Sequence, residues 1–246
     1  MTKPHNAQCP ARRVVRAAAV AMAAFMLALS VASHVSHAQN SLGTKDKANA
    51  LVEEARTSLE RMLGSQDNDA FKRYLNNARA VLIVPELIKG GLIVGAEGGS
   101  GVLLVRGADG TWSAPAFYTL AAGSLGLQFG VQISEVVFTV MTDSAVEALL
   151  NSEFKLGADA SVAMGPLGAG IESSSTTNIG ADIYAFSRAV GLFGGGALEG
   201  AKILNRQDYN DGYYGAVAAP REVVIERKFF NPQADKLRQA LPKGGT

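Results

Sequence analysis

Residues 45–63 place Ala48, Leu51, Val52, Ala55, Leu59 and Met62 at steps of three and four, and Gly64 closes the run. That spacing predicts an amphipathic helix laid on a core. Its polar side mixes Lys47, Glu53, Glu54, Arg56, Glu60 and Arg61, whereas a membrane-surface helix favours one positive sign. A second helix is predicted from about Asp67 to Ala78, with Phe71, Tyr74, Leu75 and Ala78 on one side. From Ala80 the period changes. "AVLIVP" reads as a strand ended by Pro85. Gly91–Glu97 and Gly101–Arg106 read as strands on either side of a Gly98-Gly99-Ser100 turn. Asp109-Gly110 marks a hairpin turn leading into a strand over Thr111–Leu120.

The clearest alternation is "LGLQFGVQI". Leu125, Leu127, Phe129, Val131 and Ile133 fall on one side, and Gly126, Gln128, Gly130 and Gln132 on the other. This predicts one strand with a buried face and a shallow opposite face that a ligand or backbone can approach. Glu135–Met141 continues the strand pattern. Ser144 and Glu147 have capping-box spacing and open a short helix to about Asn151. Further strands are read at Gly157–Met164, Ala181–Arg188, Leu198–Leu204 and Glu222–Arg227. Ser173–Thr177 reads as a flexible loop. Asn231-Pro232 is an N-cap followed by proline at the first helical position, starting a helix that stops by Pro242. The pattern predicts an α+β fold: an antiparallel, β-rich sheet or barrel-like core, N-terminal helices and a short C-terminal helix.

The N-terminus reads differently. Residues 1–38 hold Lys3, Arg12, Arg13 and Arg16 but no acid, then an apolar run from Ala17 to Val31, then Ser36-His37-Ala38. This is the order of a secretory signal peptide, and the apolar run is short for a membrane span. The expected organisation is a signal at 1–38, a helical segment at 39–79 and a β-rich core at 80–246, with 39–246 one folded unit, exported to periplasm or medium. Without residues 1–38, 19 basic residues face 22 acidic ones, a net charge of −3. Nucleic acid is therefore not an expected partner.

Export also removes chemistry. His5, His34, His37 and Cys9, the only histidines and cysteine, all lie in residues 1–38. The mature chain then lacks thiol nucleophiles, histidine-based triads and nitrogen or sulfur ligands for zinc. Lys89 precedes its glycines instead of following them, so the phosphate-loop pattern is absent. Ala122-Gly123-Ser124-Leu125-Gly126 departs from a nucleophile elbow at its first position. Ser152-Glu153-Phe154-Lys155 matches Ser-x-x-Lys but lacks that motif's companions. Asp208 and Asp211, near Tyr209, Tyr213 and Tyr214, could bind a cation, but a tyrosine-rich turn is the expected reading. No enzyme activity and no cofactor are expected.

Five ordered blocks carry a family likeness: "AVLIVPELIKGGLIVGAEGGSGVLLVR", "DGTWSAPAFYTLAAGSLGLQFGVQISEVVFTVM", "LGADASVAMGPLGAG", "AFSRAVGLFGGGALEG" and "NDGYYG". From about Ala78 to Gly215 the chain resembles the SYLF lipid-binding domain. The resemblance implies phospholipid binding without turnover. Eukaryotic members bind phosphoinositides and other acidic phospholipids, and some bind actin; exported bacterial members are envelope or secreted lipid binders. One departure is Ala169 after Gly165-Pro166-Leu167-Gly168, where eukaryotic members often carry arginine. Actin is not the expected native partner. The expected partner is acidic phospholipid or a membrane surface, with a structural or adhesive envelope role as the alternative, and the sequence does not fix an oligomer.

The candidate lipid-binding residues are Lys89, Gly90, Gly91, Arg188 and Lys202. Lys89 precedes two glycines whose backbone N–H groups could join it around a phosphate. Arg188 and Lys202 bracket the glycine cluster at 191–196.

Overall fold

The computed structural model describes residues 43–65, 68–91, 94–125, 130–165, 180–189 and 200–243. The compact unit carrying the sheet is Thr44–Thr246. Helix α1 runs through 43–64. The six apolar residues read from its periodicity, Ala48 to Met62, are all buried. Helix α2 is Asp69–Asn77, burying Phe71 and Leu75.

Eight strands follow among the described residues: β1 (Ala80–Gly91), β2 (Val94–Val105), β3 (Ala116–Leu125), β4 (Gly130–Val140), β5 (Glu153–Lys155), β6 (Val162–Met164), β7 (Ile183–Ala189) and β8 (Lys202–Asn205). They form one sheet in the order β5-β8-β3-β2-β1-β4-β7-β6. Strands β3-β2-β1-β4 make a Greek key, the fourth strand returning to lie beside the first. All pairings are antiparallel except β6 with β7.

The sheet is curled into a half-barrel, and chain length requires the curl. β5 and β6 lie on opposite edges, yet only residues 156–161 join them. The seven Cα steps from Lys155 to Val162 reach about 24 Å at most. The outer strands of a flat eight-stranded sheet stand about 34 Å apart.

Helix α3 (Asp143–Leu149) and helix α5 (Pro220–Val224) cover one face, where Leu82, Val84, Leu103, Tyr118, Phe138 and Ile203 form a core with Val146, Leu149, Val223 and Val224. The opposite face carries Val81, Ile83, Val102, Leu104, Phe117 and Val137. Those residues pack beneath α1, α2, α4 (Gln207–Tyr214) and α6 (Asp235–Ala240). These are called the α3 face and the α1 face below.

Several elements differ from the sequence reading. β1 does not stop at Pro85: it continues to Gly91 through a one-residue bulge, its register with β2 shifting between Ile83 and Ile88. Proline lacks an N–H, and a bulge is where a strand tolerates that. Gly98-Gly99-Ser100 is not a turn but the middle of β2. The glycines are needed because the bulge crowds β2: a Cβ on Gly99 would meet the Glu86 carbonyl oxygen at 2.4 Å, and one on Gly101 the Ile83 oxygen at 2.7 Å.

"LGLQFGVQI" is not one strand. β3 ends at Leu125 and β4 begins at Gly130, with β2 and β1 between them in the sheet; residues 126–129 lie outside the described residues, as does the loop read at Ser173–Thr177. The strand read over Thr111–Leu120 begins only at Ala116, although the turn at Asp109-Gly110 is present, Gly110 having φ +76°. Helix α3 is capped by Thr142 and not by Ser144; its side chain accepts from the Ala145 N–H. Residues 157–161 turn before the short β6, Gly157 having φ +84°. Glu222–Arg227 is not a strand, since Pro220 starts α5 and turns Val223 and Val224 onto the α3 face. The tyrosine-rich segment is helix α4. Asn231 caps the last helical stretch as expected, accepting from the Gln233 N–H at 3.0 Å.

Candidate functional site

The bulge in β1 decides where Lys89 points. Side chains alternate along a strand, and one extra residue exchanges the faces. Val81 and Ile83 lie on the α1 face; beyond the bulge, Leu87 joins the α3-face core. Lys89, two residues on, shares that face. Its partner across the β1–β2 ladder is Glu97, and Lys89 Nζ lies 2.7 Å from Glu97 Oε1. The Glu97 side chain is 0% exposed and that of Lys89 18%. Glu97 Oε2 is buried and has no hydrogen-bond partner among the described residues.

Gly90 and Gly91 are paired on both sides, Gly90 with Ala96 and Val131, Gly91 with Gly95 and Gly130. Their backbone N–H groups face neighbouring strands and do not form the cradle expected around a phosphate. β1 is a central strand, not an edge.

On the α1 face the same end of the sheet is uncovered. Ile88 and Ile133 are direct cross-strand partners, 45% and 49% exposed. Two residues along β4, Glu135 is paired across the ladder with Arg188 of β7. Glu135 forms an ion pair with Arg61 of α1 instead, and Arg188 is exposed and makes no ion pair with any described residue. A groove of about 900 Å³ opens here, lined by Glu53, Glu54, Thr57 and Arg61 of α1 and by Pro85, Glu86, Ile133, Glu135 and Arg188 of the sheet, so that four carboxylates and two arginines share it.

Lys202 also belongs to the α1 face, because the next residue, Ile203, is in the α3-face core. It bonds Glu153 of β5 at 2.8 Å, and that bond holds the Glu153 carboxyl below the ordinary glutamate range. The predicted cations therefore do not converge. Lys89 faces away from the other two. Arg188 on β7 and Lys202 on β8 are five strand steps apart around the curled sheet.

Other motif residues are structural. Trp112 Nε1 donates to the Pro242 carbonyl at 2.8 Å, and Arg106 stacks 4.4 Å over its ring. Asn210 of "NDGYYG" is fully buried and bonds the Phe117 backbone N–H at 2.9 Å. Asp211 accepts from Gln207 Nε2 at 2.6 Å and from the Ala218 N–H at 2.9 Å. Asp208 pairs with Arg206 at 2.9 Å.

Residues 121–243, half the chain, match the family model described as "Ysc84: Las17-binding protein actin regulator". The chain belongs to the Ysc84 family. This is the SYLF likeness read from the five sequence blocks. Among Ysc84 relatives, the chain is 34% identical over 172 residues to Protein YSC84 of Saccharomyces cerevisiae, covering 68% of this chain and 36% of the yeast protein. LAS seventeen-binding protein 3 of S. cerevisiae is 33% identical over 172 residues, covering 68% of this chain and 37% of the relative. SH3 domain-containing YSC84-like protein 1 of Bos taurus is 36% identical over 161 residues, covering 65% and 47% respectively. The chain thus spans less than half the length of these Ysc84 relatives.

Glu97, Ile88 and Glu135 were not singled out from the sequence, and Ile133, expected on a buried face, is exposed because it lies at the uncovered end of β4. A signal for Glu97 exists: β1 and β2 are consecutive strands, and the register that pairs 91 with 95 also pairs 89 with 97. Placing the turn at Gly98-Gly99-Ser100 conceals it.

Proposed function

We propose that this Ysc84-family protein is a non-catalytic phospholipid-binding protein that rests the open end of its α1 face on acidic membrane surfaces. The observation carrying this reading is the exposed Ile88–Ile133 pair beside Arg188, which makes no ion pair with any described residue. Two branched apolar side chains in water offer interfacial burial, and an arginine beside them offers bidentate hydrogen bonds to headgroup phosphate. Lys202 contributes from the far end of the same face; its pair with Glu153 is exposed and exchanges readily with an incoming anion. Lys89 does not reach this surface. Residues 1–38 are proposed to direct export and to be removed, so that the mature protein begins at Gln39.

Co-sedimentation of the purified protein with neutral and acidic vesicles tests the reading. Binding is expected on acidic vesicles and to weaken with salt, since exposed charges are screened over roughly 8 Å at physiological ionic strength. Equal binding to both vesicle types at low salt would remove the headgroup contact. An intact mass retaining residues 1–38 in the exported protein would remove the proposed signal.

A second reading rests on the names of the relatives, which speak of binding Las17 and regulating actin. On that reading the same exposed end docks a protein, another envelope component or a second copy. Co-sedimentation with actin filaments, and size-exclusion chromatography without lipid, distinguish it: pelleting with filaments or self-association through Ile88 and Ile133 favours the protein partner.

A further inference from the structure

We infer that the Lys89–Glu97 pair is the recognition element of a binding site for a phosphoethanolamine group, with the phosphate on Lys89 and the ammonium on Glu97 Oε2. The site lies on the α3 face, opposite the proposed membrane-facing patch, and does not rest on that reading.

Three observations lead there. The first is the unused oxygen. Glu97 is fully buried; Oε1 meets Lys89 at 2.7 Å as an ion pair without hydrogen-bond geometry, and Oε2 has no partner among the described residues. A buried acceptor left empty is costly, and a half-satisfied polar pair is worse than an apolar one. Such an oxygen calls for an N–H or O–H donor. The second is the floor beside the pair. Stepping two residues along each strand from Glu97, Lys89 and Gln132 reaches Gly95, Gly91 and Gly130, which are paired in one row on the same face. Three strands present no side chain there, so a ligand can lie against the backbone. The third is access: Lys89 is partly open to solvent although Glu97 is not.

Charge selects the ligand. A free anion drawn to Lys89 would also meet the Glu97 carboxylate, and a free cation drawn to Glu97 would meet the ammonium. The pair has a fixed dipole, and a zwitterionic ligand of opposed dipole satisfies both ends. Phosphoethanolamine carries anion and N–H donors on adjacent groups. Phosphocholine has the same charges but no N–H to give. The group could reach the site as a lipid headgroup or as a free phosphoester.

Calorimetric titration of the purified protein with O-phosphoethanolamine, O-phosphocholine and inorganic phosphate tests the site. Saturable binding of phosphoethanolamine, at least ~10-fold tighter than the other two, is expected if a charged hydrogen bond to Oε2 is formed. The neutral replacement Lys89→Met/Glu97→Leu removes the pair without stranding a buried charge, so folding should be retained; phosphoethanolamine binding should vanish. Glu97→Gln, which keeps the side-chain volume, should erase the preference over phosphocholine. Parallel runs with phosphatidylethanolamine and phosphatidylcholine vesicles identify the source. Binding of the free group alone indicates a soluble phosphoester; binding of vesicles as well, lost in the double variant, indicates the lipid. The inference is overturned if neither form of phosphoethanolamine binds. It is also overturned if phosphocholine or phosphate binds equally, if the double variant still binds, or if neither variant folds, which would make the pair structural.

Discussion

The two ends of the same strands are built on different rules. At the helix-covered end, Ala80 to Val84 are buried on both faces, as are Val102 to Leu104 and Val136 to Val140. A strand covered on both sides reads as a continuous apolar run. At the other end the sequence turns to glycine, the helices stop, and Ile88, Ile133 and Gly123 meet solvent. The contrast separates two jobs within one sheet. The covered end holds the fold, and the open end is free to carry an exposed apolar pair on one face and a buried, incompletely satisfied ion pair on the other.

The largest test of this division is a pair of truncations. Phe138→Ala, at the covered end, should lose about 3–5 kcal/mol of stability, whereas Ile133→Ala, five residues away on the same strand, should stay within about 0.5 kcal/mol. Chemical denaturation measures both; similar losses would mean that the open end is also core. A smaller effect should separate two glycines. Gly99→Ala places a methyl against backbone and should lose about 1–3 kcal/mol. Gly123→Ala has nothing within 4 Å of the new carbon and should leave the melting temperature unchanged.

The open end should respond in binding instead. Arg188→Glu is expected to lower affinity for acidic vesicles several-fold with no change in melting temperature. A stability loss with binding intact would place Arg188 in the fold.

The smallest effect concerns Asp182, which ties β7 to the segment before β6. It accepts from the Ser161 Oγ at 2.6 Å, the Ser161 N–H at 3.0 Å and the Thr142 Oγ1 at 2.9 Å. The bonds from Ser161 are the main reason its carboxyl is held below the ordinary aspartate range. A depressed folded value contributes stability above the unfolded value of about 3.9, and that contribution is lost as pH falls through the folded value. The fall in melting temperature between about pH 5 and pH 3 should therefore be shallower in Asp182→Asn than in the natural protein.

What could be read beforehand follows the physics of each signal. The face of α1 was legible residue by residue because a helix period fixes neighbours locally. The cap at Asn231 was legible for the same reason. Pro85 and Gly99 were misread because each has two meanings, punctuation or close approach, and only the neighbouring strand decides between them. Leu125 ends β3 and Ile133 lies in β4, yet both fit one alternating pattern, so periodicity alone could not reveal two strands. Lys89 was named from its own neighbourhood. Its partner depends on a register that depends in turn on the bulge, and that chain of dependence also hid the face on which Lys89 lies.

The Greek key has a consequence for a chain made from its N-terminus. β1 can fold against β2 as a local hairpin as soon as both have been synthesised. Its other edge waits for Gly130–Val140, and β4 in turn waits for Ile183–Ala189. During those intervals an apolar strand edge stands unpaired, the kind of edge that recruits other chains. Folding dominated by such distant pairings is slow. Crowded synthesis therefore favours aggregation at the edge of Ala80–Val84, and a binder that caps this edge should raise the yield of folded protein more than any single stabilising substitution in the finished core.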